Sequence, residues 1–449
     1  MDTKNTNVLA VAPQREEWQN PNRYDAPLVL TAIKPAEKSA YGDRLEYGWG
    51  MPDEMSKTLY DEQHINTLLS DLNKESIEYV TLKQKLDKAL LVWLSLRSTT
   101  ESNPNIAQVW ADSFTEKSVE IYGAPDQKAA TELLGRQIAE LDKASGKKLS
   151  DLIDIGIEAD TQRDFTEQYK ELAMEVNDYI FEKYGNILDS LGVTDDEIYD
   201  ADGIKAAFDR GMAELAKTDQ AWEEWSNELV DSAIVTAITE QKKNTIGRNR
   251  SKVTGRKLKQ IFIHEVLTHD IEAVNGEKSS KKLAYSGMPD YDAAMEGKAS
   301  FNEFAFSGGE LENHFIDHYV NIALAMGLID GRKRTRQEMI DFIQIKEQAR
   351  TVLGKSTTKP GELESFATKR ANRYFRGTPG NDEVVGVFTK DIAYLKGFVE
   401  IAEFIKRQKN DGKPIGEIMD YLSSGMFDPN NPTHIEYVKA VTNKEDKNA

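Results

Sequence analysis

The chain has 449 residues, 39% of them hydrophobic, and 57 basic against 76 acidic side chains give a formal net charge of −19. This apolar content can bury a core large enough for two or three subdomains, while the negative charge disfavours binding to phosphate backbones or anionic membranes, so neither nucleic acid nor membrane is an expected partner. With no cysteine there are no disulfides, thiol nucleophiles or cysteine-zinc sites.

Residues 1–50 are polar, with Pro13, Pro21, Pro27 and Pro35 and little periodicity, which predicts an extended or partly disordered segment. The start has no basic stretch leading into an apolar core, and no run approaches the roughly 18 apolar residues of a membrane helix, so a cytoplasmic location is expected. Residues 51–230 read as a helical region. Leu82, Leu86, Leu90 and Trp93 recur at helical spacing, and the compact run Ala89–Leu94 reads as a buried helix segment. Asn105 to Tyr122 predicts a helix closed by Gly123-Ala124-Pro125, and Asp126 can cap the next, to about Ser145. Phe165, Tyr169, Leu172, Val176, Tyr179 and Ile180 form one stripe, ending near Gly185. Thr194 and Glu197 fit a capping box opening a short helix. The cluster Asp200-Ala201-Asp202-Gly203 fails as a calcium loop: with Gly203 at the sixth position, Ile198 would hold the first and Asp209 the twelfth, so it reads as a turn. Trp222, Trp225 and Leu229 continue a helical stripe.

Around Ala233–Ile238 and Asn244–Arg250, β-branched residues and a Gly-Arg-Asn turn predict one or two short strands. An edge strand there could hold an extended peptide by main-chain pairing. Lys242, Lys243, Arg248, Arg250, Lys252, Arg256, Lys257 and Lys259 crowd the same approach, either as a solvated face balancing the acidic body or as a rim attracting an acidic peptide tail. Next comes His264-Glu265-x-x-x-His269, two of only six histidines, with Glu296 following in an acidic, aromatic segment. This is a zinc-hydrolase signature, slightly altered. A catalytic zinc needs two neutral imidazoles, a carboxylate, an open position and a nearby base. Histidines four apart lie about 40° apart round a helix; five apart, they diverge by roughly 140°. A π-type widening to about 4.4 residues per turn would bring them back to one face, so a distorted helix is predicted at 264–269.

Farther on, His314 and His318 are four apart but lack a glutamate after the first, and read as a solvated or core-edge pair rather than a second metal site. Thr335 with Glu338 forms a capping box for a helix to Gly354; Glu362 to Tyr374 and a helix capped by Thr389, reaching about Lys409, complete an α+β, predominantly α-helical chain with a small sheet.

Five blocks in order between Phe262 and Gly397, HEVLTH, VNG, GMPDYDAAMEG, RYFRGTPG and VFTKDIAYLKG, with a weaker echo in IYGAPD at Ile121–Asp126, resemble a known family. Its bacterial members carry a QEGLA motif, and its animal members are the microtubule-associated tyrosine carboxypeptidases, which remove a C-terminal tyrosine from tubulin. The resemblance implies a zincin-like metallopeptidase core in residues 231–449, a Zn2+ cofactor held by His264, His269 and Glu296, and Glu265 as general base. It implies a peptide or protein C-terminal tail as substrate, an acidic one if the basic rim attracts it. A carboxypeptidase also needs a cation for the terminal carboxylate, and Arg373, Arg376 and Lys390, in blocks resembling the family, are the candidates. Tyr285 and Tyr291, near the motif, are candidates for stabilising the oxyanion. The chain departs from the family at Leu267, often Gly, at Glu272, often basic or neutral, and at Lys298 within Met295-Glu296-Gly297-Lys298-Ala299. A non-haem iron oxygenase, an enzyme for a non-peptide amide or ester, and a non-catalytic helical interaction protein with a degenerate metal site are the alternatives.

Overall fold

The computed structural model describes residues 101–145, 165–232, 234–250, 252–278, 287–288, 290–309, 314–354, 356, 358–378 and 384–445, with isolated residues between 80 and 99. Residues 1–93 and 94–449 are separate units. Of the first, Val80, Gln84, Asp87, Lys88 and Leu91 are described, all at helical positions; the proline-rich start, Leu82, Leu86, Leu90 and Trp93 lie outside the described residues.

The second unit opens with α1 (Pro104–Tyr122), whose cap Asn103 accepts from the Asn105 N–H and whose Pro104 sits where a missing N–H costs nothing. Gly123 ends it at φ +84°, in the left-handed region that glycine tolerates. Asp126 starts α2 (Gln127–Ser145) by accepting from Ala129 N at 2.7 Å. The next helix, α3 (Phe165–Ser190), runs past Gly185 because Ile187 and Leu188 continue its buried face. No helix opens at Thr194. That stretch is a turn, Glu197 N to Thr194 O at 3.1 Å, tied by the Tyr199 hydroxyl and leading into β1 (Ile198–Tyr199). Asp200, read as part of a turn, caps α4 (Ala201–Ala216) through Gly203 N.

The helical stripe expected through Leu229 is also corrected. Trp222 lies in a short 3-10 turn, and the chain then extends into β2 (Ser226–Val230), because pairing with β4 overrides the local spacing. β3 (Val235–Ile238) and β4 (Lys243–Gly247) fall where strands were expected. The strand order is β2-β4-β3, with β2 parallel and β3 antiparallel to β4, which leaves β3 at an edge. β5 (Val253–Thr254) pairs with β1.

Thr254 caps α5 (Gly255–His264), which passes through a π turn at Glu265–Asp270 into α6 (Ile271–Lys278). Then follow α7 (Asp292–Phe306), α8 (His314–Ala325), α9 (Arg336–Val352), α10 (Leu363–Tyr374), α11 (Ala393–Asn410), α12 (Ile415–Leu422) and α13 (Pro432–Glu445). The Thr335–Glu338 capping box is present at α9. Thr389 does not cap with its side chain; its hydroxyl pairs with Ser118 Oγ at 2.8 Å, and one 3-10 turn precedes α11.

Among the described residues, two apolar clusters are large. One joins α3, α4, α5, the π turn, α7, α11 and α12 around Phe208, Phe262, Phe301 and Phe398; the other joins α2, α8, α9 and α10 around Val320, Met339, Ala367 and Tyr374. Helix α11 belongs to both, with Phe398 and Ile401 in the first and Leu395 in the second. The fold is α+β and mostly helical, and among the described residues no helix is long and apolar enough to cross a membrane.

Candidate metal centre

The π turn predicted from the histidine spacing is present, and it brings the two rings together, centroids 4.9 Å apart and edge to face. One extra residue in a turn frees the carbonyl that a regular helix would satisfy. Thr268 takes up that role, its hydroxyl donating to Ile263 O, five residues back, at 2.9 Å, while Asn302 of α7 donates to the Thr268 oxygen at 2.9 Å. From the sheet, Asn244 of β4 donates to Asp270 at 2.8 Å.

Helix α7 supplies the carboxylates. One ligand-type atom from each of His264, His269 and Glu296 lies within 4.8 Å of the others. The separation of His264 Nε2 and Glu296 Oε2 is 3.6 Å, too long for a hydrogen bond. Two ligands about 2.1 Å from a tetrahedral zinc would stand about 3.4 Å apart, so this spacing suits an ion between them. His269 Nδ1 is buried without a hydrogen-bond partner among the described residues. Burial, aided by the nearby charges of His264 and Lys298, holds His269 well below the ordinary histidine range and so neutral. At His264 burial acts the same way, but the carboxylates of Glu296 and Glu303 outweigh it and push that imidazole up. Two anions converging there favour a cation, and the donor set fits zinc.

Glu303 was not foreseen. It lies seven residues after Glu296 on α7, two turns along the same face, and its Oε1 meets His264 Nδ1 at 2.6 Å. That contact leaves Nε2 for the metal, the arrangement by which carboxylates orient metal-binding histidines. The seven-residue interval in MEGKASFNEF was its available signal. Glu265, half-buried, accepts from Ala237 N of β3 at 2.8 Å, so the sheet edge fixes the carboxylate beside the three ligand-type residues. Burial first, then the neighbouring carboxylates, pushes Glu265 up to about 7 against the pull of His264 and the Ala237 N–H.

The basic rim is mostly engaged. Lys242 pairs with Glu224 and Glu277, Lys243 with Glu228, Lys257 with Glu303 and Lys259 with Asp195, while Arg256 donates to Ser307 O. Arg248 and Lys252 are exposed. Arg250 differs: it is half-buried, the charges of Glu265 and Glu303 act on it, and its Nε has no hydrogen-bond partner among the described residues.

Of the other candidates, Arg373 and Arg376 both pair with Asp391, at 2.8 and 3.1 Å. Burial would raise the Asp391 carboxyl, but the two guanidiniums outweigh it and hold it far below the usual range. Lys390 is half-buried in the 3-10 turn before α11. Tyr291 precedes α7, its ring packed over Gly287, and Tyr285 lies outside the described residues. Tyr394 was missed altogether; the negative charge of Glu296, more than its own burial, pushes its hydroxyl up. His318 is no metal ligand: Nδ1 meets the Tyr374 hydroxyl at 3.0 Å and Nε2 faces the Arg370 guanidinium at 3.1 Å. The side chain of His314 lies outside the described residues.

Comparison of the chain with family models, curated proteins and solved structures finds no match. The reading of this centre therefore stands on the chemistry of its residues.

Proposed function

We propose that the chain is a zinc-dependent peptidase with a zincin-like core, a carboxypeptidase that removes a tyrosine-like residue from the C-terminus of a peptide or protein tail. The observation that carries this reading is the convergence of His264, His269 and Glu296 within 4.8 Å, with Glu265 held beside them by Ala237 N. His264, His269 and Glu296 would hold the ion. When bound, zinc supplies Lewis-acid chemistry, acidifying a water and polarising the scissile carbonyl. Glu265 takes a proton from the attacking water and delivers it to the leaving amine. Glu303 keeps His264 in the tautomer that presents Nε2.

The preference for a terminal carboxylate rests on the family resemblance and on charge. Arg373 and Arg376 bring two positive charges to the single carboxylate of Asp391, a surplus of one cation, and the same cluster and Glu296 both act on Tyr394. The Leu267 and Lys298 departures do not speak for a degenerate site. Leu267 is buried in the apolar core, and Lys298 is buried in a 2.9 Å pair with Glu272.

Metal analysis of the purified chain, a peptide library read by mass spectrometry, and the Glu265→Gln variant test the proposal together. Expected are one zinc per chain, single-residue trimming from C-termini, and a variant that keeps its zinc while turnover falls by about 10²–10⁴. Iron in place of zinc, or undiminished hydrolysis by the variant, would contradict it.

A further inference from the structure

Helices α7 and α11 cross with their backbones in contact at two glycines. A Cβ on Gly397 would lie 1.7 Å from Ala293 O, and one on Gly297 2.2 Å from the carbonyl carbon of Gly397. Gly297 directly follows Glu296, and Gly397 comes one helical turn after Tyr394. The crossing thus sets the turn of α11 that carries Tyr394 against the segment of α7 that carries Glu296.

The ring is held there: it stacks on Phe315 at 5.6 Å and 17°, with His318 at 6.3 Å. Its hydroxyl makes no hydrogen bond among the described residues, although buried tyrosines of other helices use theirs. Tyr374 engages His318 and Asn321, Tyr319 takes the Asp126 N–H, and Tyr169 donates to Glu403. The Tyr394 side chain as a whole is half-buried. A phenol ordinarily ionises only near pH 10 and so carries its proton at neutral pH.

We propose that Tyr394 is a catalytic residue that donates a hydrogen bond to the oxygen that becomes anionic during peptide hydrolysis. This rests on the peptidase reading and adds to it a role first sought at Tyr285 or Tyr291. In the step concerned, the water oxygen bonds to the carbonyl carbon, the carbonyl π pair moves onto its oxygen, and one water proton passes to Glu265. Collapse of the adduct re-forms the carbonyl and breaks the C–N bond, and Glu265 returns that proton to the departing nitrogen, giving acid and amine. Tyr394 bonds the oxygen between those two events. Removal of one such donor ordinarily costs about 10²–10³ in kcat.

The test compares zinc-loaded wild type with Tyr394→Phe, which keeps the ring and its stacking. Expected are unchanged zinc content, melting temperature and KM, and a kcat lower by about 10²–10³. A phosphinic peptide, whose tetrahedral centre mimics the adduct, should bind the variant more weakly by the same ratio in calorimetry, while the cleaved peptide product binds both alike. Full kcat and full phosphinic-peptide affinity in the variant would overturn the role of Tyr394 alone; so would loss of zinc or of folding, which would make the residue structural. A zinc-loaded wild type that cleaves no peptide would overturn the peptidase reading and this inference with it.

Discussion

Glu303 and Lys298 differ from the foreseen residues in how they act: each works on a neighbour. Glu303 aligns His264 through a 2.6 Å contact, and a carboxylate in that position raises the basicity of the imidazole as well as fixing its orientation. Glu303→Gln keeps the size of the side chain and removes its charge, so zinc affinity should fall by about 10- to 100-fold in chelator competition. An affinity equal to wild type would show that the contact is incidental. Lys298 and Glu272, each a departure from the family pattern, answer one another. Burial pushes Glu272 up to about 7 against the pull of Lys298, and the ammonium also reaches the carbonyls of Leu422, Gly425 and Phe427 at 3.3–3.4 Å. His264, Glu265 and His269 stood out because their spacing and chemical types are unusual in a chain with six histidines, whereas Glu296 was singled out as a ligand through the resemblance of its block to a known family. Tyr394 and the Ala237 N–H carry no such mark; a helix crossing and strand pairing bring them in from elsewhere, while Arg250 was visible only as one member of the basic rim.

The element that makes the centre possible is the π turn. A regular helix would leave His269 facing away from His264 by about 140°, and the widened turn holds because Thr268 satisfies Ile263 O while receiving Asn302. Thr268→Val matches the shape and removes both hydrogen bonds of a side chain only 3% exposed, leaving Ile263 O without its hydroxyl donor. A destabilisation of about 1–3 kcal/mol is expected in chemical denaturation, with weaker zinc binding as the histidines drift apart. Unaltered stability and affinity together would mean the turn is held by packing alone. This distortion was readable from a five-residue histidine interval, as were the caps at Asp126 and Thr335, because each signal is local. The strand at Ser226–Val230 was not readable, since Trp222, Trp225 and Leu229 keep helical spacing and only β4 draws the segment into a sheet. The turn at Thr194 failed for a related reason: Tyr199 and the β1–β5 pairing claim the segment that a capping box would have opened.

At the scale of the whole unit from residue 94 onward, charge is buried as well as apolar surface, and the pH response follows from it. Asp391 is 2% exposed against Arg373 and Arg376, and Asp317 is 6% exposed against Lys346 and Arg350, each at 3.0 Å. In both aspartates burial raises the carboxyl and the paired cations outweigh it, so the folded protein holds each below its ordinary value. A carboxylate depressed by folding contributes stability that is fully present above the unfolded value, near 3.9, and is lost as pH falls from there toward the folded value. Acid should therefore unfold the wild type progressively below about pH 4. Asp391→Asn removes one member of a buried pair and leaves two arginines facing each other, at a cost of about 3 kcal/mol at pH 7, the low end for such a loss because both guanidiniums are partly exposed. Denaturant unfolding of both proteins from pH 7 to pH 3 gives the decisive comparison: the gap between them should stay constant down to about pH 5 and narrow below pH 4, where the wild-type carboxylate begins to take up its proton. A gap that widened in acid, or one that never appeared at pH 7, would show that the Asp391 cluster does not hold α10 and the start of α11 together.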